Sequence, residues 1–108
     1  MQYVKSLPLH QKFVLRSILI AEKQRNSDRY ITSGDVNDTY KKICLSYLRE
    51  PLSTGRLSQI ISEFDTSQII NTKIKKNGRY GNTRVIEINN DTYKYLSKID
   101  EILKEQGI

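Results

Sequence analysis

The sequence predicts a mainly helical domain with one small antiparallel β-hairpin, and three observations carry that prediction. Apolar residues recur at helical spacing in four stretches: Phe13, Val14, Ile18, Leu19 and Ala21; Val36, Tyr40, Ile43, Cys44, Tyr47 and Leu48; Leu57, Ile60, Ile61 and Phe64; and Leu96, Ile99 and Leu103. Between the third and fourth stretches, Ile69–Lys76 and Thr83–Ile88 alternate with the period of a strand. Gly78 and Gly81 lie between those strands, where a narrow turn needs backbone freedom. At 108 residues the chain is of a size for one domain, spanning 1–108, with a single small core.

Taken in order, Pro8 suits the first turn of a helix, and the first helix is predicted from Pro8 to Lys23, before the polar run KQRNSDR. Tyr30-Ile31-Thr32 is long enough for a strand of two or three residues, with Ser33 expected to cap the second helix. That helix should end at Arg49-Glu50-Pro51, because the residue before a proline avoids helical backbone angles. Cys44 falls on the apolar stripe and is expected in the core. Pro51-Leu52-Ser53-Thr54 then supplies a tight connection and two N-cap candidates for a third helix. Two helices joined so briefly are a helix-turn-helix candidate. Turning roughly 100° per residue away from Leu57, Ile60, Ile61 and Phe64 puts Gly55, Gln59 and Ser62 outward, flanked by Arg56 and Ser58. That face is small, neutral or basic, and Glu63 is the helix's one acid before Asp65. A last helix is expected to be capped by Asp91.

The hairpin register can be reasoned out. A two-residue turn at Asn77-Gly78, a strong hairpin signal, would pair Ile74 with Gly81 and leave the isoleucines unmatched. A five-residue loop, Gly78 to Asn82, pairs Ile74 with Ile86 and Thr72 with Ile88 and gathers Ile70, Ile74, Ile86 and Ile88 on one face. The longer loop is therefore expected, with Arg79 and Tyr80 at its apex and Lys73, Lys75 and Arg84 on or near the opposite face.

Charge points the same way. Lys and Arg number 18 against 12 Asp and Glu, a formal +6. No acid lies between Asp65 and Glu87, yet Lys73, Lys75, Lys76, Arg79 and Arg84 all do. Lysines on an edge strand can serve simply to prevent aggregation, but that leaves a basic tip unexplained. Clustered positive charge instead builds a field suited to a polyanion.

Helix, short strand, helix, helix, strand, basic loop, strand, helix is the order of a winged helix-turn-helix, whose hairpin loop is the wing. A helix fits the major groove of DNA, and an arginine on a projecting loop can reach the electronegative minor groove. Tyr80 can pack along a sugar or donate to a phosphate, or it can fold back over the hairpin.

Three stretches, LPLHQKFVL at Leu7–Leu15, PLSTGRLSQIISEFD at Pro51–Asp65 and NGRYGNTR at Asn77–Arg84, resemble the C-terminal winged-helix domain of the archaeal origin-recognition and cell-division-control initiators. The resemblance spans nearly the whole chain. It implies a domain that follows an ATPase module, binds origin DNA and serves helicase loading. It places the recognition helix at Thr54–Phe64, with Thr54, Arg56, Ser58, Gln59 and Ser62 available to DNA. The wing is Gly78–Asn82, led by Arg79, with Lys73, Lys75, Lys76, Tyr80, Asn82 and Arg84 contributing. This chain departs from the family where two successive basic residues are common and Gly55-Arg56 stands, where a glycine is common and Gln68 stands, and where a basic residue is common and Asn82 stands. No GxxxxGK[ST] phosphate loop occurs in the sequence, so the chain is expected to be an excised domain or a stand-alone relative.

Other classes fit less well. A protein-binding adaptor should show an exposed apolar patch on the recognition helix or wing. A winged-helix transcription regulator would commonly dimerise, through Tyr93, Tyr95 and Leu96, though packing of the last helix on the first is the expectation and the domain is expected to be a monomer. An enzyme would need partners for His10 that the neighbouring sequence lacks, so a capping or surface role is expected there. One cysteine and one histidine cannot build a Cys/His zinc site, and no cofactor or metal is expected. With no apolar run long enough to span a bilayer, a soluble cytoplasmic protein is expected.

Overall fold

The computed structural model describes residues 7–25, 29–76 and 82–105. Its elements are α1 (Leu9–Gln24), β1 (Ile31–Thr32), α2 (Ser33–Ser46), α3 (Thr54–Thr66), β2 (Asn71–Lys76), β3 (Asn82–Glu87) and α4 (Asn90–Glu105). This is the expected winged helix-turn-helix order.

The helices form where apolar spacing lets one face be buried. Phe13, Val14 and Ile18 of α1, Val36, Tyr40 and Cys44 of α2, and Leu57, Ile60, Ile61 and Phe64 of α3 meet in one core. The sheet adds Ile31 and Ile86, and the bend before β2 adds Ile70. Cys44 is buried there, as its place in the stripe requires. The last helix packs against the first, as expected. Its apolar positions Leu96, Ile99 and Leu103 have side chains outside the described set.

Helix ends show three departures from expectation. The cap of α2 is Thr32, not Ser33: its hydroxyl accepts from the Asp35 N–H at 3.1 Å while the Asp35 carboxylate accepts from the Thr32 N–H at 3.0 Å. Only from Thr32 does the third following residue carry a carboxylate, which completes the reciprocal box. In the same way Asn89 caps α4, its Oδ1 accepting from Thr92 N–H at 2.7 Å, and Asp91 sits within the first turn. Leu48, expected to extend the buried stripe, is 92 % exposed. The helix stops at Ser46, and Leu48 turns left-handed at φ 54° so that the Arg49 N–H can close on the Cys44 carbonyl at 2.8 Å.

The sheet has the order β1-β3-β2 and is antiparallel throughout. In the hairpin Thr72 pairs with Ile86, Ile74 with Arg84 and Lys76 with Asn82. A two-residue turn is thereby excluded, but the pairing is displaced by two residues from the expected Ile74–Ile86 match. Ile74 is consequently 59 % exposed, whereas Ile86 is buried and also pairs with Ile31 of β1. Alternation places Arg84 on the face of Ile86 and Thr72, not on the face of Lys73 and Lys75 where it was expected.

Candidate nucleic-acid interface

What aims α3 is a buried hydroxyl. Tyr40 of α2 is fully buried, and its phenol oxygen accepts from the Leu52 N–H at 2.8 Å, in the turn that launches α3. The phenol's own hydrogen is then free to meet His10 Nδ1, 2.7 Å away on α1. His10, expected at the surface or as a cap, is instead half-buried and stands edge-on to Phe13. One oxygen thus ties α1, α2 and the entry to α3. Burial, reinforced by the Cys44 thiol and partly offset by the Leu52 bond, pushes the Tyr40 phenol up to about 12.

The α3 helix starts at Ser53, whose hydroxyl accepts from the Arg56 N–H at 3.2 Å. It ends in a left-handed Gln68 at φ 62°, with the Gln68 N–H on the Asp65 carbonyl and the Ile69 N–H on the Phe64 carbonyl, both at 3.0 Å. These bonds are those of a helix stop normally built on glycine. Between the two ends Leu57, Ile60, Ile61 and Phe64 are buried, and Thr54, Gly55, Arg56, Ser58, Gln59 and Ser62 are all exposed. Thr54, Arg56, Ser58, Gln59 and Ser62 thus all lie on the solvent side of the helix, as expected. Arg56 Nη1 donates to Gln59 Oε1 at 2.8 Å, so the pair presents N–H donors outward. At Gly55 a Cβ would meet nothing within 4 Å.

The hairpin residues divide between two faces. Lys73 and Lys75 lie on the side away from α3: Lys73 Nζ is 3.4 Å from Glu87 Oε1, and Lys75 Nζ sits 3.6 Å over the ring of Tyr30. Arg84 lies on the α3 side, reaching Ser58 and Ser62. Lys76 and Asn82 pair at the end of the ladder, and their side chains are outside the described set, as are Arg79 and Tyr80 entirely. A further basic residue, Arg49, is exposed in the turn before α3. In the sequence Arg49 marks the end of α2, and the excess of Lys41, Lys42, Arg49 and Arg56 over Asp38 and Glu50 is the signal that points to it. Among the described residues no group of His, Cys, Asp or Glu could hold a metal, and no helix is long and apolar enough to cross a membrane.

Residues 2–98 match the family described as the CDC6 C-terminal winged helix domain. The chain is 39 % identical over 93 residues to the ORC1-type DNA replication protein of Thermococcus onnurineus, covering 86 % of this chain and 22 % of that protein. With its counterpart from Thermococcus kodakarensis it shares 38 % over 102 residues, 93 % of this chain and 24 % of the relative. The chain thus spans about a quarter or less of the length of these curated relatives. Among solved structures it is similar to the Aeropyrum pernix ORC1 protein in complex with DNA, with a TM-score of 0.77 at 29 % identity over 97 % of this chain and 27 % of that one. It also resembles Cdc6p from Pyrobaculum aerophilum, with a TM-score of 0.73 at 26 % identity over 97 % of this chain and 26 % of that one.

Proposed function

Because the chain belongs to the CDC6 C-terminal winged-helix domain family, we propose that it binds double-stranded DNA by inserting α3 into a major groove and laying its hairpin across the adjacent backbone. The observation that carries this reading is the exposed, acid-poor face of α3, which carries Thr54, Arg56, Ser58, Gln59 and Ser62 and is joined to the hairpin through Arg84. Further support comes from the similarity to an ORC1 protein whose structure is a complex with DNA. The role is binding and not catalysis.

Arg56 and Gln59 are the base readers. Arginine donates in a fork to guanine O6 and N7, and glutamine can bond adenine by donating to N7 and accepting from N6. Since Arg56 already occupies the Gln59 carbonyl, the amide's remaining strength is as a donor, which favours an acceptor-rich base edge. Thr54 lines the groove wall, and Ser58 and Ser62, exposed on the same helix, complete the binding helix. Lys73, Lys75 and Lys76 position the domain on phosphates, with Asn82 opposite Lys76 at the base of the wing, and the wing tip, with Arg79 foremost and Tyr80, enters or crosses the minor groove. In a complete initiator the domain would direct an ATPase module in the same chain to a replication origin in the cytoplasm, where the replicative helicase is loaded.

Titration against a duplex enriched from a random library, and against its scrambled counterpart, tests this. Arg56→Ala or Gln59→Ala should lose about 1–3 kcal/mol on the enriched duplex and little on the scrambled one. Lys75→Ala should weaken both and flatten the logarithmic salt slope by about 0.9. Equal losses on both duplexes for every variant would remove base reading, and no retention on DNA at low salt would remove the function.

A further inference from the structure

Arg84 belongs by charge to the phosphate-contacting set, but its surroundings assign it different work. From the sheet face it shares with Thr72 and Ile86, its Nη1 reaches the Ser58 carbonyl at 3.3 Å and Ser58 Oγ at 3.4 Å. Its Nη2 reaches Ser62 Oγ at 3.0 Å and Thr72 Oγ1 at 3.5 Å. Thr72 Oγ1 in turn donates to Asp65 Oδ2 at 2.8 Å, back on α3. The contacts close a loop from the middle of α3 through β3 and β2 to the end of α3. Ser58 and Ser62 stand one turn apart, and the two amino groups of the planar guanidinium take one each, whereas an ammonium donates from a single nitrogen. Among the described charged side chains of the hairpin, Arg84 is the one that reaches α3, since Lys73 and Lys75 point to Glu87 and Tyr30 on the other face.

We infer that Arg84 is a positioning residue: it fastens the hairpin to α3 and so sets the spacing at which helix and wing meet successive grooves. The inference rests on the DNA-binding reading above and deepens it. A two-point binder gains affinity when the span between its contacts is fixed before encounter, because less orientational freedom is lost on binding. Ser58 and Ser62 then act first as anchors of Arg84, and their hydroxyls serve DNA binding through it.

Arg84→Lys, Arg84→Gln, the double variant Ser58→Ala/Ser62→Ala and the triple combination would be titrated with the library-enriched duplex across a salt series. Lys should fail as badly as Gln, each by about tenfold, because charge without the fork does not bridge. The triple variant should be no worse than Arg84→Gln alone, since all remove one linkage. Near wild-type affinity for Arg84→Lys, with Arg84→Gln alone weakened and its salt slope flatter by about 0.9, would make Arg84 a phosphate contact and overturn the inference. Residual dipolar couplings of the DNA-free protein separate this from failure of the binding reading. In the wild type α3 and the hairpin should fit one common orientation that Arg84→Lys loses, and an unchanged fit in Arg84→Lys would also overturn it.

Discussion

Leu48 and Gln68 hold left-handed backbone angles, φ 54° and 62°, that side chains with a Cβ resist. Both stand one residue past a helix C-cap, where the backbone bonds of the stop require that conformation. Both are exposed, so neither returns burial energy for the strain. Leu48→Gly and Gln68→Gly should each raise stability by up to about 1 kcal/mol in urea unfolding. The resemblance already marked Gln68 as a place where glycine is common, whereas Leu48 read as a core residue because helical spacing does not show where a helix stops. Tyr40 is the other residue whose role lay beyond the sequence. Its ring was legible as core, but its hydroxyl joins His10 and Leu52, which no local pattern connects. Tyr40→Phe leaves those groups without their shared oxygen and should lower stability by about 1–3 kcal/mol. In the wild type the folded pKa of about 12 lies above the ordinary 10.0. The neutral phenol is therefore favoured by folding, and its contribution is complete below pH 10 and fades as pH rises towards 12. Ultraviolet titration should show one phenolate forming near pH 12 that Tyr40→Phe removes.

At the scale of elements, the outward face of α3 is legible in the sequence because its period leaves little choice: four buried apolar positions fix which residues look outward. The hairpin is less legible. A slip of two residues keeps every side chain on its own face, so alternation alone could not separate Ile74–Ile86 pairing from the observed Ile74–Arg84. What decides is β1, invisible to reasoning about the hairpin in isolation. Ile31 of β1 lies opposite Ile86 and buries it from the other side, and Ile74 is left near the open end. Gly55 is the element's soft point, a glycine inside the first turn of α3 with open space where its Cβ would be. Gly55→Ala should stabilise the helix by about 0.5–1 kcal/mol in thermal or denaturant unfolding. Gly55→Lys, which makes a basic pair with Arg56, should tighten DNA binding and steepen the salt slope by about 0.9.

For the whole molecule, order of elements, apolar period and the acid-free stretch between Asp65 and Glu87 were enough to give a winged helix with a basic side. They could not show that the basic residues divide, with Arg84 turned inward to Ser58 and Ser62 and with Lys73 and Lys75 on the far face of the sheet. That division separates Arg84, which holds helix and hairpin together, from Lys73 and Lys75, which lie against Glu87 and Tyr30 on the other face. The central claim is that α3 and the hairpin form one DNA-binding surface. Its most direct test is amide chemical-shift mapping of the 108-residue chain titrated with duplex DNA at low salt. Shifts should concentrate at Thr54–Ser62 and along β2 and β3, moving together at one binding ratio. Shifts centred on α1, the outer side of α2 or α4, with α3 and the hairpin unchanged, would contradict it.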